Sequence, residues 1–523
     1  MALSISAVWM ENSMRFKLFP KAYVASNILV ILVLSGCNWS GSIPASKITP
    51  VRYEKTDCEM PVHMGDKVEC GYLYVPEDRT QADSRQIRLA VAIGRSTNPN
   101  PLPDPVVYLH GGPGFNLLST LNSIPYHFNW ILSTRDLILF DQRGVGYSQP
   151  SLDCPDVDGI VFQDITQNLS AEQGRLHATR ALRECRDRLL EEGIDLDTYS
   201  SAASAADVND LRIALGYSKW NLFGSSYGTR LALTVMRDFP EGVRSAILDS
   251  ALPLQADTVF ESEGNAHRAF DLFFLSCALD AQCNAAYPNL KALFYETVSK
   301  LNTQPVTLKV TRPSTGQEYK AVLNGDRLVA LLVELLSFTD TLPHLPGMIY
   351  ELHAGNTDFS AELIEYVSLV AAIPDFNSEG AALSVICKDE VSFSSPQIIQ
   401  EVLASQPSPL WDLPTALGDF DECDIWNVQP APSIENQPVL SEIPTLILAG
   451  DMDPVTPPVW GELAGEKLKN SYYEEFVGVS HGVYGAGQLP LCSKVIVRSF
   501  LENPQIAPDA ACLSTLNISF STK

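Results

Sequence analysis

Short apolar runs alternate with amphipathic stretches through the first half of the chain. Four of these runs have the length and composition of buried strands: 105–109, 137–140, 220–223 and 243–249. Apolar positions at helical spacing predict helices at 170–192 and 203–215, the second with Ser204 as its N-cap and Asp207 in its first turn. Because buried strands and helices alternate, the pattern predicts an α/β fold, with a mostly parallel sheet and helices on both faces.

Further strands are predicted before and after this region, at 71–76, 86–93, 443–450 and 472–477. A polar turn at 77–84 separates the first two, which predicts an antiparallel pair at the start of the sheet. A closing helix is predicted at 488–502. The core of the fold therefore consists of two parts of the chain, 57–255 and 436–523.

The alternation of strands and helices is lost between residues 256 and 435. Helical stretches dominate this segment and are predicted at 265–280, 288–301, 325–338 and 359–372. Prolines at irregular intervals separate them. We therefore predict that 256–435 is a mostly helical cap, inserted between the two parts of the core.

The N-terminal segment has the pattern of a targeting signal. Basic residues between positions 15 and 21 precede the apolar stretch 25–34. This stretch is shorter than the roughly 20 apolar residues of a transmembrane helix, and it is typical of a signal peptide. Translation starts at either Met1 or Met14, because residues 1–13 add little to the signal.

Small residues precede Cys37 and resemble the lipobox of bacterial lipoproteins. The resemblance implies that 1–36 is a signal peptide, cleaved before Cys37, and that acylation of the Cys37 thiol anchors the chain to a membrane. Asn38 is not an aspartate, so the usual signal for retention in the inner membrane is missing. Ordinary secretion, with Cys37 incidental, is the alternative. Residues 37–56 are polar and are predicted to form a tether.

The net charge of the chain argues against nucleic acid as a partner. The chain of 523 residues has a formal net charge of −26, whereas a protein that binds nucleic acid needs a basic surface. An acidic surface is compatible with cationic substrates such as free amino termini. No other segment of the sequence is long and apolar enough to span a membrane. The oligomeric state is left open.

Cysteine usage indicates an oxidising compartment. The chain has 11 cysteines, and lipidation of Cys37 leaves an even number, as expected for disulfides in an exported protein. Many connectivities are possible, and the pairing of sequence neighbours gives Cys58–Cys70, Cys154–Cys185, Cys277–Cys283, Cys387–Cys423 and Cys492–Cys512. These spacings do not resemble a zinc cluster, and we predict no metal and no cofactor.

The sequence Gly224-Ser-Ser-Tyr-Gly228 fits the G-x-S-x-G pattern of a nucleophile elbow. It lies between a predicted strand and a helical stretch, so Ser226 is expected on a sharp turn with its hydroxyl accessible. The backbone N–H of Tyr227 is then one donor for an oxyanion. The alternative is a glycine-rich turn with an inert serine, because the pattern alone is common.

A serine nucleophile needs a base, and the chain offers His481. His481 follows the last predicted strand, and an open α/β sheet places its active site at the C-terminal ends of its strands. An imidazole can also act as a general base near neutral pH. His110 competes for this role, but it precedes a glycine-rich loop with another expected role. A surface histidine without function is the alternative for His481.

An aspartate that orients this base is expected after the strand 443–450. Asp453 is preferred to Asp451 because it lies deeper in the loop and Pro454 stiffens the turn behind it. Asp249, after the preceding strand, is a second alternative. With Asp453 the chain order is serine, aspartate, histidine, as expected of α/β-hydrolases.

The second oxyanion donor is expected from the loop His110-Gly-Gly-Pro-Gly114. Glycines in this loop allow backbone amides to approach a substrate carbonyl, and Gly112 is the preferred donor. The alternative is a glycine-rich turn that has no role in catalysis.

Five motifs together resemble the α/β-hydrolase peptidase family of proline iminopeptidases and secreted bacterial tripeptidyl aminopeptidases. They are spread over nearly the whole chain after the signal peptide: His110-Gly-Gly-Pro-Gly114, Asp141-Gln-Arg-Gly-Val-Gly-Tyr-Ser148, Gly224-Ser-Ser-Tyr-Gly-Thr-Arg230, Asp453-Pro-Val-Thr-Pro457 and Ser480-His-Gly482. The resemblance implies Ser226 as nucleophile, Asp453 as orienting acid and His481 as base. It also implies a helical cap over the site.

Members of that family remove one residue or a short peptide from a free N-terminus, which requires carboxylates that bind the substrate ammonium. The cap segment 384–390 resembles a family stretch with acidic residues after a cysteine. Asp389 and Glu390 are therefore candidates for this role. A solvated acidic pair beside a disulfide is the alternative.

The sequence thus predicts a serine exopeptidase of the bacterial cell envelope that acts on short peptides with a free N-terminus. It is expected to be lipid-anchored, at the outer membrane or facing the periplasm, or secreted. A carboxylesterase or lipase with the same triad is the first alternative, and a non-catalytic binding lipoprotein is the second. The sequence does not determine the number of residues released or the preferred side chain.

Overall fold

A computed structural model describes residues 50–522, with several gaps. The gaps are 61–67, 121–123, 156, 158–159, 161–163, 165, 170, 313–316, 358–376, 398–414 and 486–489. The predicted signal peptide, Cys37, most of the predicted tether and the predicted helix 359–372 therefore lie outside the described residues.

A nine-stranded sheet is the centre of the described chain. The strands along the sequence are β1 (Arg52–Thr56), β2 (Val68–Pro76), β3 (Gln86–Gly94), β4 (Val106–Leu109), β5 (Leu137–Phe140), β6 (Trp220–Ser225), β7 (Val243–Asp249), β8 (Val306–Arg312), β9 (Gln317–Leu323), β10 (Thr445–Gly450) and β11 (Ser471–Phe476). All except β8 and β9 belong to this sheet, in the order β1-β2-β3-β5-β4-β6-β7-β10-β11. The pairs β1–β2, β2–β3 and β3–β5 are antiparallel, and all later pairs in this order are parallel. This confirms the predicted arrangement of a mostly parallel sheet with an antiparallel start.

The helices connect these strands and cover the sheet. In the described residues they are α1 (Ile124–Leu132), α2 (Ala171–Glu191), α3 (Ser201–Ala214), α4 (Tyr227–Asp238), α5 (Thr258–Leu279), α6 (Ala281–Ala286), α7 (Leu290–Thr303), α8 (Gly325–Leu336), α9 (Leu345–Ala354), α10 (Glu379–Asp389), α11 (Thr415–Trp426), α12 (Pro458–Gly465) and α13 (Pro490–Glu502).

Successive side chains of a strand point to opposite sides of the sheet. In the central strands both sets are buried, because helices cover both faces. On β6, Leu222 packs in the apolar cluster that includes α3, α4 and α12, and Phe223 packs in the cluster that includes α1 and α13. Strands such as Leu137–Phe140 are wholly apolar for this reason. The prediction of helices on both faces is confirmed.

Between β7 and β10 the described chain is mostly helical, as predicted. Its apolar side chains cluster around Phe270, Phe273 and Phe294, together with Met452 and Phe520 from beyond β10. This segment also contains the antiparallel hairpin β8–β9, which the sequence analysis missed. In β8, Leu308 and Val310 are buried while Lys309 is exposed. This period of two is the signal of a strand, and it was overlooked among helical patterns.

The prediction of a tether at 37–56 is wrong for its last residues. Arg52–Thr56 forms β1 and pairs antiparallel with β2 at the edge of the sheet. The Arg52 guanidinium also lies 4.0 Å from the centre of the Tyr74 ring. Strand pairing and this cation–π contact hold a polar segment that has little apolar character of its own.

The N-terminus of α3 also differs from the prediction. The helix expected to have Ser204 as its N-cap begins at Ser201, because the side chain of Ser200 accepts a hydrogen bond from a backbone N–H of the first turn. Asp207 is therefore in the middle of the helix, where it pairs with Arg143 at 2.7 Å. Serines at 200, 201 and 204 all suit an N-cap, and the structure shows that Ser200 takes this position.

The described residues contain five disulfides, and they are the five pairs of sequence neighbours. They join Cys58–Cys70, Cys154–Cys185, Cys277–Cys283, Cys387–Cys423 and Cys492–Cys512. Such bonds persist in oxidising compartments. Among the described helices, none has the length and apolar character needed to cross a membrane.

Candidate active site

Ser226 lies on the turn between β6 and α4, as the sequence predicts. Its backbone has φ 56° and ψ −129°, a conformation rare for a residue with a side chain, and its N–H donates to Asp249 O at 2.9 Å. A Cβ on Gly224 would lie 2.4 Å from Gly228 O, and one on Gly228 would lie 1.9 Å from Leu109 O. The two glycines of the motif are therefore required for the close approach of strand and helix.

Loops after β10 and β11 bring His481 and Asp453 together. Asp453 Oδ2 lies 2.8 Å from His481 Nδ1 and accepts from Thr456 Oγ1 at 2.8 Å. The backbone N–H groups of Val455 and Thr456 donate to Asp453 Oδ1 at 2.8 and 2.9 Å. With its Nδ1 paired to this carboxylate, the imidazole has Nε2 available to act as a base.

Burial and ion pairing oppose each other in this pair. Burial raises the pKa of Asp453, but the charge and hydrogen bond of His481 and the bonds from Thr456 lower it below its ordinary value. Burial lowers the pKa of His481, whereas the charge and hydrogen bond of Asp453 raise it above its ordinary value. The charges of Asp249 and Glu334 add to that increase. Asp453 is therefore ionised at neutral pH and stabilises a protonated His481.

The other two candidate acids have different partners. Asp451 Oδ1 accepts from Gly478 N at 2.7 Å and so joins the two loops. Asp249 Oδ2 accepts from Tyr484 N at 3.1 Å, and burial raises the pKa of Asp249 to about 7. Asp453 is the carboxylate that pairs with His481, in agreement with the preference from the sequence.

His110, the competing base, is half-buried in the glycine-rich loop. Its ring stacks on Phe115 with the centroids 3.7 Å apart. Burial lowers the pKa of His110 to about 3, so the imidazole is neutral at physiological pH. These contacts give His110 a packing role in the loop.

The loop that carries His481 is attached to the end of β7. Gly482 N donates to Ser250 Oγ at 2.8 Å, and Tyr484 N donates to Asp249, whose carbonyl accepts from Ser226 N. None of the hydrogen bonds in the described part of the chain joins Ser226 Oγ to His481. Such bonds are often long without substrate and shorten in the complex.

Both predicted oxyanion donors lie next to the nucleophile. Gly112 lines the same cavity as Ser226 and has φ 110°, a conformation that favours glycine. A Cβ on the preceding Gly111 would lie 2.7 Å from Ser226 Cβ, so the loop passes directly beside the serine. Tyr227 is the first residue of α4, and the N-terminus of a helix favours an anion.

A cavity of about 360 Å³ opens at Ser226, with walls from both the core and the segment between β7 and β10. Most of its side chains are apolar, among them Leu252, Val259, Ala266, Val333, Ile386 and Trp460. The described residues that line it include no lysine or arginine. The cavity therefore suits a small apolar group, with a negative potential from its acidic residues.

Two glutamates line this cavity, and one of them, Glu390, is a candidate from the sequence. Glu390 Oε2 accepts from Thr258 Oγ1 at 2.7 Å. Glu263 Oε1 is buried with no hydrogen-bond partner in the described chain, and burial raises the pKa of Glu263 to about 7. Asp389 is not brought to the cavity, because its Oδ2 accepts from Ser201 N at 2.6 Å. The two adjacent acidic residues point in different directions where α10 ends.

Glu263 was missed because a glutamate in the middle of a helix is ordinarily exposed. A signal was present in the sequence all the same. Val259, Glu263, Ala266 and Phe270 follow one another at helical spacing, and all four are buried. A carboxylate within an apolar stripe is unusual enough to mark a candidate binding residue.

A strained serine between strand and helix, with an aspartate and then a histidine after later parallel strands, defines the α/β-hydrolase class. A family model described as the alpha/beta hydrolase fold matches residues 104–487. The chain therefore belongs to this family.

Relatives of this chain include named peptidases. The serine protease Hip1 of Mycobacterium tuberculosis is 26% identical over 461 residues, which cover 84% of this chain and 86% of that protein. The tripeptidyl aminopeptidase of Streptomyces coelicolor is 29% identical over 225 residues, 42% of this chain and 41% of that protein. The solved structure of proline iminopeptidase from Mycobacterium smegmatis has 17% identity and a TM-score of 0.39, and the match covers 83% of this chain and 98% of that one. The family model confirms the predicted α/β-hydrolase family, and the curated relatives include a tripeptidyl aminopeptidase, as the motifs predict.

Proposed function

We propose that the protein is a serine exopeptidase that cleaves short peptides near their free N-terminus. Ser226 Oγ attacks the scissile carbonyl while His481 takes its proton, and the N–H groups of Gly112 and Tyr227 stabilise the oxyanion. His481 then protonates the leaving amine, which leaves an acyl group on Ser226. Water attacks this ester and gives a proton to His481, and the proton returns to Ser226 as the product acid leaves.

The observation that carries the proposal is a pair of glutamates, Glu263 and Glu390, in the mostly apolar cavity that opens at Ser226. A buried carboxylate oxygen without a partner is costly. The ammonium group of a peptide N-terminus supplies both the charge and the N–H donors that Glu263 Oε1 lacks. The peptidase names of the relatives support the same class of reaction.

The proposed location is the cell envelope, with the chain anchored through an acylated Cys37 or secreted. The five disulfides support export into an oxidising compartment. Short peptides in that compartment are the proposed substrates.

The test compares Pro-, Ala- and Ala-Ala-Pro-anilides with their N-acetylated forms and with a short-chain nitrophenyl ester. We expect the wild type to hydrolyse at least one free-amine anilide and to lose that activity when the amine is acetylated. Ser226→Ala lowers kcat by at least about 10³-fold, because the nucleophile is gone.

Two outcomes would contradict the proposal. Turnover of the ester with none of the anilides would identify a carboxylesterase with the same triad. No turnover of any substrate, together with no labelling of Ser226 by a fluorophosphonate, would exclude a serine hydrolase.

A further inference from the structure

Helix α5 contacts the active site at three points along its first three turns. Glu263 lines the cavity. Two residues earlier, Glu261 Oε2 accepts from Trp460 Nε1 at 2.6 Å, and Trp460 lies in α12, which follows the loop of Asp453. Arg268 contacts that loop itself. The helix is therefore attached, on both sides of Glu263, to the segment that carries the acid.

The Arg268 guanidinium binds two backbone carbonyls of this loop. It donates to Asp451 O and to Asp453 O, and its Nε is buried without a hydrogen-bond partner in the described residues. A guanidinium presents its N–H groups in one rigid plane, so two acceptors bound to it have a fixed spacing. The contact thereby fixes the backbone on both sides of Met452.

The core binds the opposite, N–H side of the same loop. Asp451 N donates to Phe476 O at 3.1 Å, and Met452 N donates to Val479 O at 3.0 Å. In the described part of the chain, the hydrogen bonds to the carbonyls at positions 451 and 453 come from Arg268. Without this side chain, one side of the loop loses its support.

We propose that Arg268 is a positioning residue for the catalytic acid. It sets the backbone of Asp453, and hence the carboxylate that pairs with His481. The inference rests on the proposed function in one respect, the role of Asp453 in orienting the base. Arg268 does not line the cavity in the described residues, so its loss affects kcat rather than KM.

The experiment measures two variants of the full-length protein. Arg268→Met removes both hydrogen bonds, and Arg268→Lys keeps the charge but not the planar pair of donors. We expect kcat on a free-amine anilide to fall on the order of 10- to 100-fold for Arg268→Met and less for Arg268→Lys, with KM unchanged. The rate at which a fluorophosphonate labels Ser226 falls by a similar factor, because that reaction uses the same base.

Arg327→Lys is the matched control. Arg327 also lies in the segment between β7 and β10 and also binds two backbone carbonyls, of Val322 and Asp164, at 2.7 and 2.8 Å. It does not line the cavity, and we expect this variant to keep the wild-type kcat and labelling rate. Thermal melting of each variant separates unfolding from mispositioning, and Arg268→Lys decides the question if Arg268→Met does not fold.

Wild-type kcat and labelling rate in the folded Arg268 variants would overturn the inference, and so would a change confined to KM. The labelling rate requires no peptide substrate. A wild type that labels but does not turn over anilides therefore contradicts the exopeptidase proposal alone, and the Arg268 variants still test the positioning role.

Discussion

Two buried aspartates close to His481 have opposite pKa shifts. Burial raises the pKa of Asp453, but the charge of His481 and the hydrogen bonds from His481 and Thr456 hold it below the ordinary value. Asp249 is also buried, but one of its oxygens has no partner in the described chain, and burial raises its pKa to about 7. The number of donors that reach each carboxylate separates the acid of the triad from its neighbour.

Asp249→Asn is expected to move the acid limb of the kcat/KM profile to lower pH. Burial lowers the pKa of His481, the pair with Asp453 raises it above its ordinary value, and the charge of Asp249 adds to that increase. Removal of this charge lowers the pKa of His481, so the base stays neutral further into the acid range. The measurement is kcat/KM against pH for a free-amine anilide.

Asp451→Asn serves as the comparison, because the Asp451 carboxylate bonds Gly478 N rather than His481. We expect its acid limb to coincide with that of the wild type. An acid limb at the same or a higher pH in Asp249→Asn would show that the charge of Asp249 does not act on the base.

Glu263→Gln is expected to weaken the binding of substrates with a free amino group. A hydrogen bond to a charged group contributes about 1.5–3 kcal/mol, which corresponds to an increase in KM on the order of 10- to 100-fold. The nitrophenyl ester has no ammonium group, so its KM is expected to stay near the wild-type value.

The control is Glu296→Gln, the same chemical change at an exposed position of α7. It is expected to leave KM unchanged for both substrates. If Glu263→Gln raises KM equally for the anilide and the ester, the effect is one of packing, and Glu263 does not bind the amine.

At the scale of elements, the segment between β7 and β10 contacts the loops of both Asp453 and His481. On the acid side, Arg268 of α5 binds the backbone at Asp451 and Asp453. On the base side, Ser480 N donates to Thr339 Oγ1 at 2.9 Å, and the Ser480 hydroxyl donates to the carbonyl at the end of α8. This segment therefore supports the candidate triad and also lines the cavity.

The disulfide Cys387–Cys423 is expected to contribute both to stability and to substrate binding. It joins α10 to α11 and closes a loop of 36 residues, for which the chain-entropy model gives about 4 kcal/mol. Cys387 lies between Ile386 and Glu390, which line the cavity. Replacement of both cysteines by alanine is expected to lower the melting temperature and to raise KM for free-amine anilides.

The disulfide Cys492–Cys512 provides the matched control. It closes a loop of 20 residues, worth about 3 kcal/mol by the same model, and its cysteines do not line the cavity in the described residues. Its removal is expected to lower the melting temperature and leave KM unchanged. Equal KM effects of the two double variants would contradict a specific role for α10.

At the scale of the whole molecule, Cys37→Ser is expected to release the protein from the membrane fraction. The lipobox-like residues before Cys37 imply that its thiol carries the anchor. The measurement is the distribution of the protein between membrane and soluble fractions, with Ser40→Ala as the control that keeps retention. Membrane retention of Cys37→Ser, or a wild type found only in the soluble fraction, would contradict a lipid anchor.

Much of the fold could be predicted from the sequence because the central strands are buried on both faces. The strands Leu137–Phe140 and Val243–Asp249 have the predicted bounds. The hairpin β8–β9 was missed because its alternation, with Thr307 and Lys309 exposed beside buried Leu308 and Val310, lies among helical patterns. Short motifs directly after strands led to Ser226, Asp453 and His481, whereas no such motif surrounds Glu263 or Arg268.

The sequence by itself determined the order of the central strands, the strained turn at Ser226 and the positions of the candidate triad. These features depend on local rules, namely the period of buried residues and the space that glycines leave between strand and helix. The tertiary structure decided which aspartate pairs with His481 and which glutamates line the cavity. It also brought Arg268 to carbonyls 183 and 185 residues further along the chain. Such contacts depend on burial and packing between distant segments, which the local pattern of residues does not contain.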